Sequence, residues 1–438
     1  MTLAGDGDGE GDRRGLTRRD LISGAAVLGV NAAAAGPLLG ARAPLAHGAR
    51  RSPRARRAPA AEPQTVVPFY GPHQAGIVTP AQEYLNMAAF DLNDDSREQL
   101  RSLLERWTTA AAALTAGDPY EPEPQSPDRA PQDTGEAIGL GPAGLTLTFG
   151  FGPGLFAAKR SRRLGIDGRR PAELRVLPPF AGERLDPASS GGDLCVQACA
   201  DDPQVAFHAV HVLTRLAGAS ARLRWSQLGF GRTSSTSRAQ STPRNLMGFK
   251  DGTHNLRAEE TAAVERFVWV APGEGPRWMA GGSFMIARRI RILFGAWDAT
   301  ALEGQERTIG RKKLSGAPLG GEHEYDAVDL QARDSAGAPV IPANAHIRLA
   351  GPQDNGGERI LRRGYSYSAG AQPGDGELDA GLFFIAFQRS PQRQFIPLQR
   401  RLAGSDALDR FTVHTSSAIF ACPPGVLPGG FLGELLLG

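Results

Sequence analysis

With 438 residues, of which 41% are apolar and 22% charged, the chain has ordinary globular composition and is long enough for two domains. Its formal net charge is only +3 and much of the basicity falls early, so the body lacks the basic excess that nucleic-acid binding needs. Three cysteines, Cys195, Cys199 and Cys422, exclude a disulfide framework and allow one bridge at most; two on a single strand cannot pair without distortion.

The chain opens on a processing pattern. Thr17-Arg18-Arg19-Asp20-Leu21-Ile22 precedes a mildly apolar, Ala/Gly-rich run to about Leu39, and Ala41-Arg42-Ala43 offers a small-x-small cleavage site. This order reads as a Tat export signal over residues 1–43, with export to the periplasm or the extracellular space. Glycine, asparagine and proline interrupt the apolar run, so it is not read as an integral membrane span. Residues 44–63, rich in Arg, Pro and Ala, read as a flexible spacer.

Beyond the spacer, apolar residues at Leu100, Leu103, Leu104, Trp107 and Ala111 recur at helical spacing, with capping candidates from Asn93 to Ser96. A Pro-rich loop over about 117–136 leads to strands at 145–149 and 193–200, a helix opening at Asp202-Pro203, and a strand at 221–225. A similar order recurs later: a long strand over 283–296, a helix over about 299–309, a strand at 382–387 and a helix over about 405–414. The mixture indicates α+β, with mainly antiparallel sheets in two similarly built domains, 64–240 and 241–438.

Between them lies Asn245-Leu246-Met247-Gly248-Phe249-Lys250-Asp251-Gly252-Thr253-His254-Asn255. Glycine permits positive φ and close backbone approach, so Asp251 belongs on a fixed loop, although an isolated Asp-Gly is also the mark of an Asx-turn. Eight histidines are few enough to weigh singly. His47 falls in the segment ahead of the folded part. His208 and His211 share a helix face but have no evident carboxylate or third histidine nearby, which indicates a structural role. Glu322-His323-Glu324 reads as solvated, and His73 and His254 as flanks of glycine loops. His346, on Asn344-Ala345-His346-Ile347-Arg348-Leu349, precedes a return through Ile360-Leu361-Arg362-Arg363-Gly364-Tyr365-Ser366-Tyr367; an imidazole with arginine and aromatics nearby suits an axial ligand. His414 competes for that role.

Gly248-Phe249-Lys250-Asp251-Gly252 resembles the GxxDG signature of dye-decolorizing peroxidases. Tyr70–Ile77, Glu306–Arg311, His346-Ile347-Arg348, Ile360–Tyr365, Gln394–Pro397 and Cys422–Gly425 are similar to other segments of that family, so the resemblance runs over roughly 65–430. With the export signal it most resembles the exported, EfeB-like deferrochelatase/peroxidase branch. The resemblance implies two ferredoxin-like domains with haem b between sheet and helices, bound non-covalently, in keeping with the absence of Cys-x-x-Cys-His. It makes His346 the iron ligand, Asp251 and Arg362 the catalytic pair, and Gly252 and Tyr367 further cofactor-binding residues. Either Asp406 or Asp409 would take the other imidazole N–H. One departure is Gly364, near which another branch keeps an asparagine.

The chemistry that the resemblance implies is that of a haem peroxidase, using hydrogen peroxide to oxidise bulky phenolic or dye-like reductants. Asp251 would relay a proton between the peroxide oxygens, and Arg362 would stabilise the charge developing on the departing one. Bulky reductants cannot enter such a pocket, which turns attention to Trp225, Trp269, Trp278, Trp297 and Tyr367 as electron relays, with core packing the commoner role. The alternative is a haem-handling deferrochelatase beside an iron-permease system. The resemblance also leaves room for a homo-oligomer.

Overall fold

The computed structural model describes residues 65–120, 127–372, 374 and 376–438. The signal expected over 1–43, the spacer over 44–63 and His47 lie outside the described residues.

Nine strands are present among the described residues: β1 (Tyr84–Leu92), β2 (Thr146–Phe151), β3 (Leu194–Ala200), β4 (Ala221–Arg232), β5 (Ser283–Ile292), β6 (Leu361–Arg362), β7 (Tyr365–Ala371), β8 (Leu378–Gln388) and β9 (Thr412–Cys422). Every pairing between them is antiparallel. In the first half the spatial order is β2-β3-β1-β4, and in the second β7-β8-β5-β9, with β6 extending the line of β7 along β8. Each half is thus ordered second, third, first, fourth, which is the ferredoxin-like α+β arrangement. Two thin seams join them: Phe151 opposite Ala421, and Phe230 and Arg232 opposite Ser366 and Tyr365. The sheet closes on itself, which removes its exposed edges.

Period-two alternation decides what each face holds. Leu85, Met87, Cys195, Cys199, Met285, Phe383, Ile385 and Phe387 point into the closed sheet. On the outside of the first half, Phe90, Phe149 and Val196 pack beneath the helices Arg97–Ala116 and Pro203–Ala217. The first helix is defined at both ends: the Ser96 hydroxyl accepts from Gln99 N–H, and Gly117 at φ 86° closes it. A third cluster, Met247, Phe249, Ile292, Trp297, Ile309 and Phe411, supports the glycine-bracketed loop. The cysteines are free and buried.

Several expected elements change. The segment 405–414 is not a helix: a helix occupies Phe395–Leu402, a short turn follows at Ala407–Arg410, and Thr412 begins β9. Nearly every residue from Thr412 to Cys422 gains a partner on β5, so ladder pairing outweighs local spacing. The strand expected over 283–296 stops at Ile292 and a short helix, Phe294–Asp298, follows it. The central strand β1 was not foreseen; buried on both faces, it shows no alternation to read. No helix among the described residues is long and apolar enough to cross a membrane.

Candidate active site

Asp251 lies on a loop whose shape follows from its glycines. Gly248 and Gly252 both adopt φ +84°, and a Cβ on Gly252 would lie 2.8 Å from Ser234 Cα. Trp297 Nε1–H donates to Met247 C=O at 3.2 Å, and Arg244 donates to Gly248 C=O at 2.7 Å, so the loop is pinned from both sides. Asn245 Nδ2–H donates to Asp251 Oδ2 at 3.1 Å.

Arg362 reaches this acid from β6. Its Nη1 stands 2.7 Å from Asp251 Oδ1, with the side chains 32% and 17% accessible. Alternation turns Leu361, Tyr365 and Tyr367 into the closed sheet and Arg362 to the opposite face. Arg363 is fully buried and donates to Thr79 C=O and Gln82 Oε1, leaving Arg362 as the arginine that meets Asp251.

His346 opens the short helix His346–Ala350. Its Nδ1–H donates to Asp406 Oδ2 at 2.6 Å; the carboxylate is 3% accessible and the imidazole 32%. The other Asp406 oxygen caps the turn Ala407–Arg410 by accepting from Leu408 N–H at 2.9 Å. Asp409 instead accepts from Gly404 N–H at 2.6 Å, so Asp406 is the partner. Donation from Nδ1 fixes the tautomer and leaves Nε2 a lone pair, with no hydrogen bond from it to a described residue.

The electrostatics couple these groups to one another. Burial lowers the His346 pKa, the Asp406 carboxylate more than offsets it, Asp251 adds to the rise and Arg362 opposes it; the net shift is upward. His414 sits on β9 opposite Ile290, and burial together with the Arg288 guanidinium pushes it down to about 3. Beside the pair, His254 is lowered by burial and then by Arg311, Arg359, Arg362 and Arg257, which marks a concentration of guanidinium charge. Arg311 is buried and donates to the carbonyls of Gly316 and Glu324 at 2.6 and 3.0 Å.

Gly252 thus shapes the Asp251 loop, whereas Tyr367 is brought elsewhere. It is fully buried within the closed sheet, where Arg289 lies 4.3 Å from its ring centroid. Trp278 and Trp297 are core residues bonded to the carbonyls of Arg169 and Met247, and Trp225 donates to Gly191 C=O. Trp269 stacks on His73 at 4.0 Å between centroids, beside a cavity of about 690 Å³ that Arg266 and Arg389 also line. Among that cavity's lining residues none is His346, Asp251 or Arg362.

Two local expectations are corrected. Carboxylates do lie beside His208 and His211: Glu136 accepts from their Nδ1 atoms at 2.7 and 2.5 Å, and Asp133 lies 3.4 Å from His208 Nε2. A loop about seventy residues away in sequence supplies both acids, which is why spacing on the helix missed them. Glu324 is not solvated, since it takes Lys250 Nζ and Thr253 Oγ1 against the Asp251 loop; His323 beside it is exposed.

Comparison with known proteins carries these groups to a family. The model for Dyp-type peroxidase, N-terminal, matches residues 74–231, and that for Dyp-type peroxidase, C-terminal, matches 242–427. A dye-decolorizing peroxidase of Thermobifida fusca is 38% identical over 445 residues, spanning 97% of this chain and 98% of the relative. A deferrochelatase of Escherichia coli K12 is 36% identical over 84% of this chain and 87% of the relative. Among solved structures, ferric DtpA from Streptomyces lividans superposes with a TM-score of 0.77 at 42% identity, covering 85% of this chain and 97% of that one. Matches of this extent over both halves establish that the chain belongs to the Dyp-type peroxidase family and is a peroxidase.

Proposed function

We propose that this protein is a haem b peroxidase in which His346 ligates the iron while Asp251 and Arg362 act on hydrogen peroxide. The observation that carries this reading is the pairing of a tautomer-fixed imidazole, His346 on Asp406, with an acid–guanidinium pair close enough to influence its protonation. Haem suits these donors. His346 offers Nε2 to the metal, and the charge of Arg257, Arg311 and Arg359 beside the pair complements the two carboxylates of the porphyrin. Solved relatives described as ferric and oxyferrous support the same cofactor. When bound, haem supplies an iron centre that takes up the oxidising power of peroxide and passes it on one electron at a time.

The chain's own residues move protons and hold charge. The Asp251 carboxylate takes the proton from one oxygen of hydrogen peroxide and returns it to the other, which leaves as water. Arg362 supplies permanent positive charge where negative charge develops on that leaving oxygen. Asn245 and Arg362 hold one oxygen each of Asp251, so its orientation is set before substrate arrives. Asp406 keeps the Nδ1 proton of His346 and makes Nε2 the stronger donor.

Bulky phenolic or dye-like compounds are the reductants of this reading, oxidised away from the iron; Trp269, one of the relay candidates, lies beside a cavity. Export through a Tat signal at Thr17–Ile22, to the periplasm or beyond, belongs to the same proposal. Deferrochelatase relatives favour a second reading, iron release from haem beside a permease. The deciding experiment loads the protein with haem and follows its absorption spectrum with one equivalent of peroxide. Wild type and His414→Ala should bind haem and respond, while His346→Ala loses or alters both. A His346→Ala variant that behaves as wild type overturns the ligand assignment. Metal-free porphyrin accumulating from added haem would favour the second reading.

A further inference from the structure

Arg362 occupies a strand of only two residues, and its backbone groups face away from β8, since it is Arg363 N–H that bonds Ile385 C=O at 2.8 Å. Among the described residues, no strand pairs with β6 on that outer side. One side chain stands in for it. Asn255 Oδ1 accepts from Arg362 N–H at 2.8 Å, while Asn255 Nδ2 donates to Arg362 C=O at 2.8 Å and to Ser235 C=O at 3.0 Å. Ser234 Oγ–H donates to the same Arg362 carbonyl at 2.9 Å. Asn255 is 4% accessible, and its carboxamide offers donor and acceptor in the fork a peptide group would present.

Asn255 also belongs to the Asp251 loop. Its own N–H closes a turn onto Gly252 C=O at 2.9 Å, immediately after Asp251. The segment that carries the acid therefore grips the backbone that carries the guanidinium. We infer that Asn255 is a positioning residue for the peroxide step, clamping Arg362 to the Asp251 loop so that the two side chains meet at 2.7 Å. Side-chain pairing alone would leave a partly accessible arginine free to sample other rotamers and water. Fixing its backbone keeps the root of that side chain at one place relative to the Asp251 loop, so that the pairing rotamer stays within reach.

The inference rests on the roles proposed for Asp251 and Arg362, and its test separates the two. Haem-loaded wild type, Asn255→Ala, Arg362→Ala and the double variant are compared by the second-order rate with hydrogen peroxide and by saturation with reductant. Outer partners that orient functional groups are worth about 10–100-fold, so Asn255→Ala should slow the peroxide step by about that factor and leave the KM for reductant unchanged. In the Arg362→Ala background the same substitution should cost less than about 3-fold, because the residue it positions is gone. A crystal structure of Asn255→Ala should show the Asp251–Arg362 contact lengthened or broken, a readout independent of turnover. Equal losses in both backgrounds, or an unchanged contact, overturn the inference. An Arg362→Ala enzyme as fast as wild type instead overturns the proposed catalytic pair. If Asn255→Ala does not fold, Ser234→Ala decides: it removes one donor to the same carbonyl and should slow the peroxide step about 2–5-fold in the wild-type background alone. No slowing there also overturns the clamp.

Discussion

Replacing Asp406 with asparagine tests the ligand side of the site with little else disturbed. The two oxygens of Asp406 do separate jobs: one accepts from Leu408 N–H at 2.9 Å, the other from His346 Nδ1–H at 2.6 Å. Asparagine keeps a carbonyl for the Leu408 cap and puts an NH2 where the second oxygen stood. That NH2 can only donate, so Nδ1 must become the acceptor and the ring proton moves to Nε2, the wrong tautomer for binding iron. The variant therefore has to abandon either its hydrogen bond or its ligand. Removing such a partner costs about 10–100-fold in metal affinity, or about 1.4–2.7 kcal/mol. Titrating haem into the metal-free protein and following the Soret absorbance gives the dissociation constant directly. Wild-type affinity with a wild-type spectrum in Asp406→Asn would refute the assignment, and Asp409→Asn, whose carboxylate bonds Gly404, should leave haem affinity unchanged.

Three other outcomes rest on the same geometry. Gly252→Ala forces φ +84° on an alanine and drives Cβ to 2.8 Å from Ser234 Cα, so thermal denaturation should show a loss of about 1–3 kcal/mol. At Glu136, burial opposes ionisation but hydrogen bonds from Thr134 and then His208 outweigh it, holding the carboxyl at about 2 against an ordinary 4.5. Depressed in the fold, it stabilises the protein above pH 4.5 and loses that contribution as pH falls toward 2; Glu136→Gln should be about 1–2 kcal/mol less stable near neutrality, with the gap closing across that window in denaturant titrations. His414 acts in the same direction in acid, over a higher window: held near 3 against 6.5, it makes the unfolded chain bind more protons as pH falls between those values. His414→Gln should flatten the acid limb of the stability curve, and an unchanged limb would mean that another group carries it.

The Asp251 loop was legible because its two glycines announce positive φ, a requirement that acts within a few residues. Helices with local caps were legible for the same reason, as at Ser96 and Asp202. Asp406 could not be separated from Asp409 because the choice depends on which carboxylate faces a ring sixty residues earlier. The helix expected over about 405–414 ran into the start of β9, whose identity comes from β5, more than a hundred residues away. The placement of Tyr367 is a different matter, since local alternation could have given it. Counting by twos from Arg362 would have put Leu361, Arg363, Tyr365 and Tyr367 together on the face opposite that arginine, and the structure puts them there. Asn255 carried no signal of its own beyond its place four residues after Asp251.

A protein that only stores or transfers haem needs an iron ligand and cations for the porphyrin carboxylates. It has no use for a carboxylate whose oxygens are separately held by Asn245 and Arg362 on a loop braced by Trp297, Arg244 and Asn255. Such bracing confines two charged side chains to one arrangement, which costs conformational entropy and returns little stability at a partly accessible pair. Sites that bear this cost are the ones whose geometry must exist before the substrate arrives, because a group aligned beforehand needs no reorganisation when charge develops. The iron-release reading explains the ligand and the guanidinium cluster but leaves the braced acid unexplained. The peroxide reading uses all three.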